Sequence, residues 1–432
     1  MSLESTVAII RAKGVASLES KSVYLLLAAV LSLLVLLYTI GHNAWGDLDH
    51  YYDNAGDVLN GLMPYSESKF EYPPLSLVFM LIPRILSWNL ESFYFICAIQ
   101  TYIFLIIAAV VLDRMSDEIV GTRWQARLIM LCAIVFCSYF MIARNDVYPT
   151  VIALMAIRLF QKDRPVLSAG VLAIAAMTKL YPAIFLLPML AVLAYRRDWK
   201  SIWQSIFVAS AVCIAVELPF LIADPSSAFA YLSYHSDRGI QVESVAATFF
   251  LLWNKIFPGE LEVVFNYGSD NLMGPGPDGL SPYMNLILGV ALAIFVVAMC
   301  SRFFKEYPDH DRSNALFGAM CVATLMLFIL FSKVYSAQYL IWIMLLLPLT
   351  QASCFDDRRR SLILWTMLFF GFFTLESYTQ YSLHLMFDMD DIVVAMFSMK
   401  NLFHIILTIE ILQLCWMEIK PSHPTDERIS IV

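Results

Sequence analysis

The feature that most constrains this chain is a series of apolar runs with almost no charge inside them. Val23 to Ile40 and Phe93 to Leu112 carry no charged residue, and Ile202 to Ile222 carries only Glu217. A helix needs about 20 apolar residues to cross a bilayer. The chain is 60% hydrophobic and 15% charged, with a mean hydropathy of +0.70, against about 45–50% apolar and 25% charged for a soluble domain. The expected fold is therefore all-α and polytopic, a single integral membrane domain over 1–432. The net charge of −8 and the lack of a basic tail give no sign of a nucleic-acid partner. Membrane lipids are the expected surroundings. The eight cysteines are scattered, mostly inside apolar runs, with no metal-ligand spacing. They read as small buried hydrophobes. No small-residue cleavage site follows the first run, so it is expected to be retained as a span.

The spans expected are Val23–Ile40, Phe93–Leu112, Leu128–Ala143, Val147–Phe160, Val166–Met177, Ala183–Ala194, Ile202–Ile222, Met284–Cys300, Ala315–Phe331, Tyr339–Leu349, Leu362–Phe373 and Leu402–Leu414. One further run, Leu75–Leu86, is short and bracketed by Pro73, Pro74 and Pro83. Cytoplasmic loops carry the Lys/Arg excess. If Leu75–Leu86 crossed the membrane, the basic clusters after it would fall on inconsistent sides. If it lies at the surface, Arg114–Arg127, Lys162/Arg164, Arg196–Lys200, Arg302–Arg312 and Arg358–Arg360 all lie in the cytosol. That reading gives about twelve spans, a cytoplasmic N-terminus (1–22) and a cytoplasmic tail (418–432). A first external loop covers 42–92 and a second covers 224–282, where Val245–Ile256 is a helix candidate. The polar breaks at Asp47–Tyr72, Arg144–Asp146, Lys179–Pro182, Asp224–Pro282 and Ser332–Gln338 then share the external face.

The stretch from Trp45 to Pro74 is rich in Asp, Tyr, Asn and Gly in an otherwise greasy chain. A carboxylate beside a span usually faces water or a protein cavity. It can act as general base toward a hydroxyl. Asp47 and Asp49 form a D-x-D; the bland alternative is a solvated turn with helix caps. Asp53 and Asp57 follow at helical spacing and read as solvated. Arg144-Asn145-Asp146 sits where two spans meet, either as a neutralised pair or as a site wall. Lys179 interrupts two apolar runs and either snorkels or meets an anion such as phosphate. His235 and Arg238 are candidate phosphate ligands, and Lys333 is another cation on the same face. Glu217 and His404 read as satisfied polar groups inside spans. Carboxylates and cations on one face suit a reaction in which a phosphate leaves and a hydroxyl attacks. No glycine-rich nucleotide loop exists, which points to a lipid-linked phosphate donor.

Four motifs in order carry a resemblance. They are Asp47, Tyr51-Tyr52, Asn54-Ala55, Gly61, Pro64-Tyr65 and Tyr72-Pro73-Pro74; then Lys179 to Pro182; then His235 to Ser244; then Lys333 to Tyr339. Together they resemble the GT-C superfamily of polyprenyl-phosphate-sugar glycosyltransferases. They are most similar to its bacterial and archaeal α-mannosyltransferase branch, which includes the mycobacterial phosphatidylinositol-mannoside enzymes. The resemblance implies an Asp general base, Asp47, and inversion at the sugar carbon. Asp49 stays open, because it resembles the second Asp of the D-x-D in the eukaryotic GPI first mannosyltransferase. The resemblance implies a polyprenyl- or dolichyl-phosphate donor of a hexose, mannose being the expected sugar, and a lipid-linked or glycan acceptor. No metal or cofactor is expected. Arg238, His235, Lys179 and Lys333 would hold the donor phosphate. Tyr51, Tyr72, Arg144, Asn145, Asp146, Tyr181 and Gln338 would line the sugar and acceptor pocket. A lipid-linked saccharide transporter or a non-catalytic envelope protein are the competing classes; polar breaks gathered on one face argue against the transporter.

Overall fold

The computed structural model describes residues 18, 20–41, 46–117, 123–236, 238–306, 308–354, 356–384 and 390–419, without the side chains of 41, 235, 236 and 382–384. Most of the expected cytoplasmic N-terminus and tail lie outside these residues. Among the described residues, seven helices are long and apolar enough to cross a membrane. They are Lys21–Ile40, Leu90–Met115, Trp199–Ala223, Pro275–Glu306, His310–Phe331, Asp357–Tyr381 and Asp391–Met417. The protein is thus an all-α, multi-pass membrane protein.

The other five expected spans are helical too, but short or broken. Leu128–Ala143 divides into Arg123–Phe136 and Ser138–Ala143 at Cys137. Val147–Gln161 has 15 residues and Pro165–Thr178 has 14. Tyr181–Tyr195 opens as a 3₁₀ turn before continuing as α-helix. Ala337–Ser353 opens the same way and restarts at Pro348. The breaks have local causes. Lys179 leaves the preceding helix in an extended conformation. Pro182, which has no N–H to offer, sits in the first turn of the next, where none is needed.

Burial sorts the helices into layers. His310–Phe331 is 78% buried over its most apolar window and forms the centre, whereas Lys21–Ile40 is 11% buried. The outer helices expose Leu25, Leu26, Phe207 and Ile222, as lipid-facing surfaces do.

The short helix Ser76–Leu86 has 11 residues, a rise of about 16 Å that cannot cross a hydrocarbon core of about 30 Å. The second loop holds Val245–Ile256 as expected, capped by Ser244, whose Oγ accepts from Ala247 N at 3.1 Å. It also holds three strands that the apolar pattern did not reveal: β1 (Ile240–Gln241), β2 (Glu262–Asn266) and β3 (Ser269–Met273). They form an antiparallel sheet in the order β1-β3-β2. Tyr267 and Gly268, both at positive φ (49° and 68°), make the β2–β3 turn, the two-residue connection whose twist suits a hairpin.

The polar loops are tied to one another at one end of the bundle. Asp47 N donates to Ala143 O (3.3 Å), Leu75 N to Met177 O (2.9 Å) and Gln241 N to Lys333 O (2.9 Å). The basic loops meet at the other end. There Arg196 binds Ser313, Asn314 and the His310 carbonyl, and Arg312 binds Glu418.

Cysteines introduced at Ser66 and at Trp88, on either side of Ser76–Leu86, should react with an impermeant maleimide from the same side of a sealed vesicle in a cysteine-depleted background. Labelling from opposite sides would make this helix a span.

Candidate active site

The site is built at the end where the polar loops meet. Asp47 sits at the N-terminus of helix Leu48–Leu59. A carboxylate is favoured there by the helix dipole. Gly46 before it has φ +59°, and a Cβ there would come within 2.7 Å of the Ala143 Cβ. Only glycine lets the chain enter this helix pressed against the break at Arg144. The Asp47 carboxylate pairs with the Arg144 guanidinium, both side chains being partly exposed. Asp49 faces elsewhere and accepts from the Tyr94 hydroxyl.

Asp146 is turned inward and is 1% exposed. Its Oδ1 accepts from Lys179 Nζ at 2.6 Å and from Trp342 Nε1 at 2.5 Å. The Trp342 ring lies between Tyr181 and Tyr339, stacked at centroid distances of 3.9 and 3.8 Å. Tyr181 donates to Thr150 Oγ1 at 2.8 Å, and Thr150 Oγ1 donates to the Asp146 carbonyl at 2.6 Å. Three of the short-helix breaks are thereby locked to one carboxylate. Arg144 therefore pairs with Asp47 across a loop, and the anion that Lys179 meets in the protein is Asp146.

A second line of contacts runs from Asp47 toward Arg238. One turn after Asp47, the Tyr51 phenol meets Tyr72, edge to face with centroids 5.9 Å apart. Burial pushes both phenols well above their usual range, so both stay protonated donors. Next to Tyr72 in the chain is Glu71, whose Oε2 lies 3.7 Å from Arg238 Nη2. Arg238 stacks over Tyr234 at 5.0 Å. With Lys333, Asn266, Tyr267, Asp278 and Asn285, Arg238 lines a cavity of about 510 Å³. A larger cavity of about 800 Å³, beside Arg196 and His310, lies at the opposite end among the basic loops.

Gln241 joins the last two motifs. Its Oε1 accepts from Tyr335 N (3.0 Å), and its Nε2 donates to Ser336 Oγ (3.0 Å). Gln338 is half-buried in the neighbouring 3₁₀ turn. Asn145 is buried, with Nδ2 unpaired in the protein. The His235 side chain lies outside the described residues.

The structure thus gathers Asp47, Tyr51, Tyr72, Arg144, Asn145, Asp146, Lys179, Tyr181, Arg238 and Lys333 at one end. Asp49, taken up by Tyr94, is turned away from Arg144. Sequence reasoning missed Trp342, and Lys400 and Asn401 in the last helix. A lysine beside an asparagine within an apolar run was the available signal. Among the described residues no group of three or more His, Cys, Asp or Glu side chains could hold a metal.

A multi-pass helical scaffold with ionised loops at one end, a carboxylate paired to an arginine and a cavity lined by cations has the layout of a membrane-embedded group-transfer enzyme. The chain belongs to glycosyltransferase family 87, whose model matches residues 70–332. That stretch covers Arg144, Lys179 and Arg238 and begins after Asp47. Two GPI mannosyltransferase 1 proteins are similar to most of the chain. The one from Trypanosoma brucei brucei is 22% identical over 74% of this chain and 72% of its own. The one from Kluyveromyces lactis is 23% identical over 74% of this chain and 76% of its own.

Asp146→Ala should lower stability by about 2–4 kcal/mol, because it strands Lys179 and removes the Trp342 acceptor. Denaturant or thermal unfolding in detergent would measure this. Adding Lys179→Met should recover part of the loss. Gly46→Ala should cost about 1–3 kcal/mol through its positive φ and the contact with Ala143.

Proposed function

We propose that this protein transfers a hexose, mannose, from a polyprenyl- or dolichyl-phosphate carrier to a hydroxyl of a lipid-linked or glycan acceptor. The active site faces the non-cytoplasmic side. The observation that carries the reading is the Asp47 carboxylate. It stands at a helix N-terminus, paired to Arg144 and still partly open to solvent, while Arg238 and Lys333 line a cavity at the same end. Membership of family 87 and the similarity to GPI mannosyltransferases support sugar transfer. The motif pattern favours the bacterial and archaeal branch within that setting.

In this mechanism Asp47 takes the proton of the acceptor hydroxyl. The freed oxygen attacks the anomeric carbon in line with the departing phosphate, which inverts that centre. Arg144 pairs with the Asp47 carboxylate until the proton arrives. Arg238 and Lys333, with His235, balance the charge that grows on the leaving phosphate. Lys179 contributes to that field from its bond with Asp146. Tyr51 and Tyr72, held protonated, can donate to sugar or phosphate oxygens, and Asn145 Nδ2 is a further free donor. Tyr181 and Gln338 shape the wall behind them.

Asp47→Asn should lower transfer from polyprenyl-phosphate-mannose by about 10²-fold or more, the usual worth of a general base, with unchanged unfolding temperature. Near-normal transfer in that variant, combined with loss in Asp49→Asn, would move the base to Asp49. Arg238→Gln should raise the KM for the donor more than the KM for the acceptor, measured with radiolabelled donor and a mixed lipid extract. Equal effects on both would remove Arg238 from the phosphate site.

A further inference from the structure

The cavity of about 800 Å³ among the basic loops has no part in the transfer mechanism. It is large enough for a small ligand or a lipid headgroup. Two arginines line it. Arg196 is fixed at one wall: its Nη2 lies within hydrogen-bond distance of Ser313 Oγ (2.6 Å), Asn314 Oδ1 (2.9 Å) and the His310 carbonyl (3.2 Å). Its Nη1 makes no such bond. Asp163 Oδ1 stands 3.8 Å from it, beyond hydrogen-bond reach, and that oxygen is already shared by His310 Nε2 (2.7 Å) and Asn314 Nδ2 (3.2 Å).

Arg197 is exposed, lines the same cavity and has no side-chain hydrogen bond or ion pair among the described residues. Its φ is +57°. It closes the helix Leu186–Tyr195, with Arg197 N donating to Ala194 O and Asp198 N to Leu193 O, both at 3.0 Å. Glycine is the residue that such a helix end favours. The chain therefore carries an arginine at a strained position where folding gains nothing from its side chain. Strain of this kind gathers where a ligand is handled.

The surroundings of the cavity narrow the ligand. Trp199 and Trp203 are exposed one turn apart on the helix whose Ser201 lines the wall, and Phe304, also on the wall, is exposed. Exposed aromatic rings of this kind belong at the membrane–water interface. Basic pockets between spans at that depth suit anionic phospholipid headgroups. The two carboxylates refine the choice. Asp198 is taken up as the cap of the next helix, accepting from Ser201 N at 3.0 Å. Asp163 Oδ2 has no partner among the described residues; it would repel a bare phosphate but can accept from a hydroxyl.

We propose that this cavity binds the headgroup of an anionic phospholipid that carries hydroxyls, in the leaflet beside the basic loops. Arg196 Nη1 and Arg197 take the phosphodiester, and Asp163 accepts from a headgroup hydroxyl. The site lies away from Asp47, so its failure would leave the transfer reading untouched.

The test is native mass spectrometry of the full chain in detergent, titrated with dioleoylphosphatidylglycerol or with dioleoylphosphatidylcholine. The wild type should retain one phosphatidylglycerol in preference to phosphatidylcholine. Arg197→Gly should weaken phosphatidylglycerol binding about fivefold, the worth of one basic residue beside an anionic headgroup, and leave phosphatidylcholine binding unchanged. Glycine suits φ +57°, so this variant should unfold no lower than the wild type. Arg197→Lys should keep most of the preference, and Arg197→Glu should abolish it. No preference in the wild type would overturn the proposal, and so would a preference that survives in Arg197→Gly, which would put the lipid elsewhere. Inorganic phosphate in large excess should not displace the lipid; displacement would make the ligand a free phosphate and overturn the lipid assignment.

Discussion

The candidate site depends on one buried carboxylate. Asp146 Oδ1 takes a proton-bearing nitrogen from each of two other chain segments, Lys179 and Trp342, and its own backbone carbonyl accepts from Thr150. A lone Asp in this position would be costly, because an unpaired buried charge in a poorly solvated site is strongly disfavoured. Paired in this way, it fixes where three helices stop. Arg144, two residues earlier, is thereby aimed at Asp47, and Tyr181 and Tyr339 are clamped around Trp342. If Asp146 gives way, the floor beneath Asp47 goes with it.

That arrangement explains why the breaks in the apolar helices are permitted at all. Irregular backbone within a membrane protein survives only where it is covered by protein or lines a water-filled space. Here the interrupted segments cover one another. Leu75 N bonds Met177 O, Asp47 N bonds Ala143 O, and Gln241 bonds across to Lys333 and Ser336. The central helix His310–Phe331 supplies a wall that these breaks can pack against. The stability of the site and the stability of the bundle are for this reason hard to separate by mutation, and charge-neutral pairs of substitutions are more informative than single ones.

Much of the fold was legible because hydrocarbon imposes a simple rule on sequence. All twelve expected runs are helical, Val245–Ile256 is a helix over the expected residues, and the 11-residue Ser76–Leu86 is too short to be a span. The lengths were less legible. Five of the runs are helices of fewer than 18 residues or are broken inside, at Cys137 and Pro348 or by an opening 3₁₀ turn, and a hydropathy window averages across such points. The three strands were invisible for a related reason. β2 and β3 are five residues each, and their turn signal, Tyr267-Gly268, lay in a stretch read only as polar. In the site, the charge pattern put the breaks that hold Asp47, Arg144 and Arg238 on one face. It did not reveal partners. That Lys179 meets Asp146, and that Lys400 meets Glu243, depends on contacts between helices far apart in the chain. No local spacing encodes such contacts.

Two short uninterrupted helices of the bundle have a consequence for how the lipid-borne donor proposed above would be handled. Val147–Gln161 and Pro165–Thr178 rise about 22 and 21 Å, against a hydrocarbon thickness of about 30 Å. Arg144–Asp146 and Lys179–Tyr181 sit at their ends, so either the bilayer thins there or water reaches down to meet them. A lipid-borne sugar would then find the charged groups sunk below the level of the surrounding headgroups. Every methylene that need not be drawn out of the hydrocarbon saves about 0.8 kcal/mol. On such a floor a carrier lipid could present its phosphate without climbing, and the energy not spent on extraction remains for holding the sugar in line.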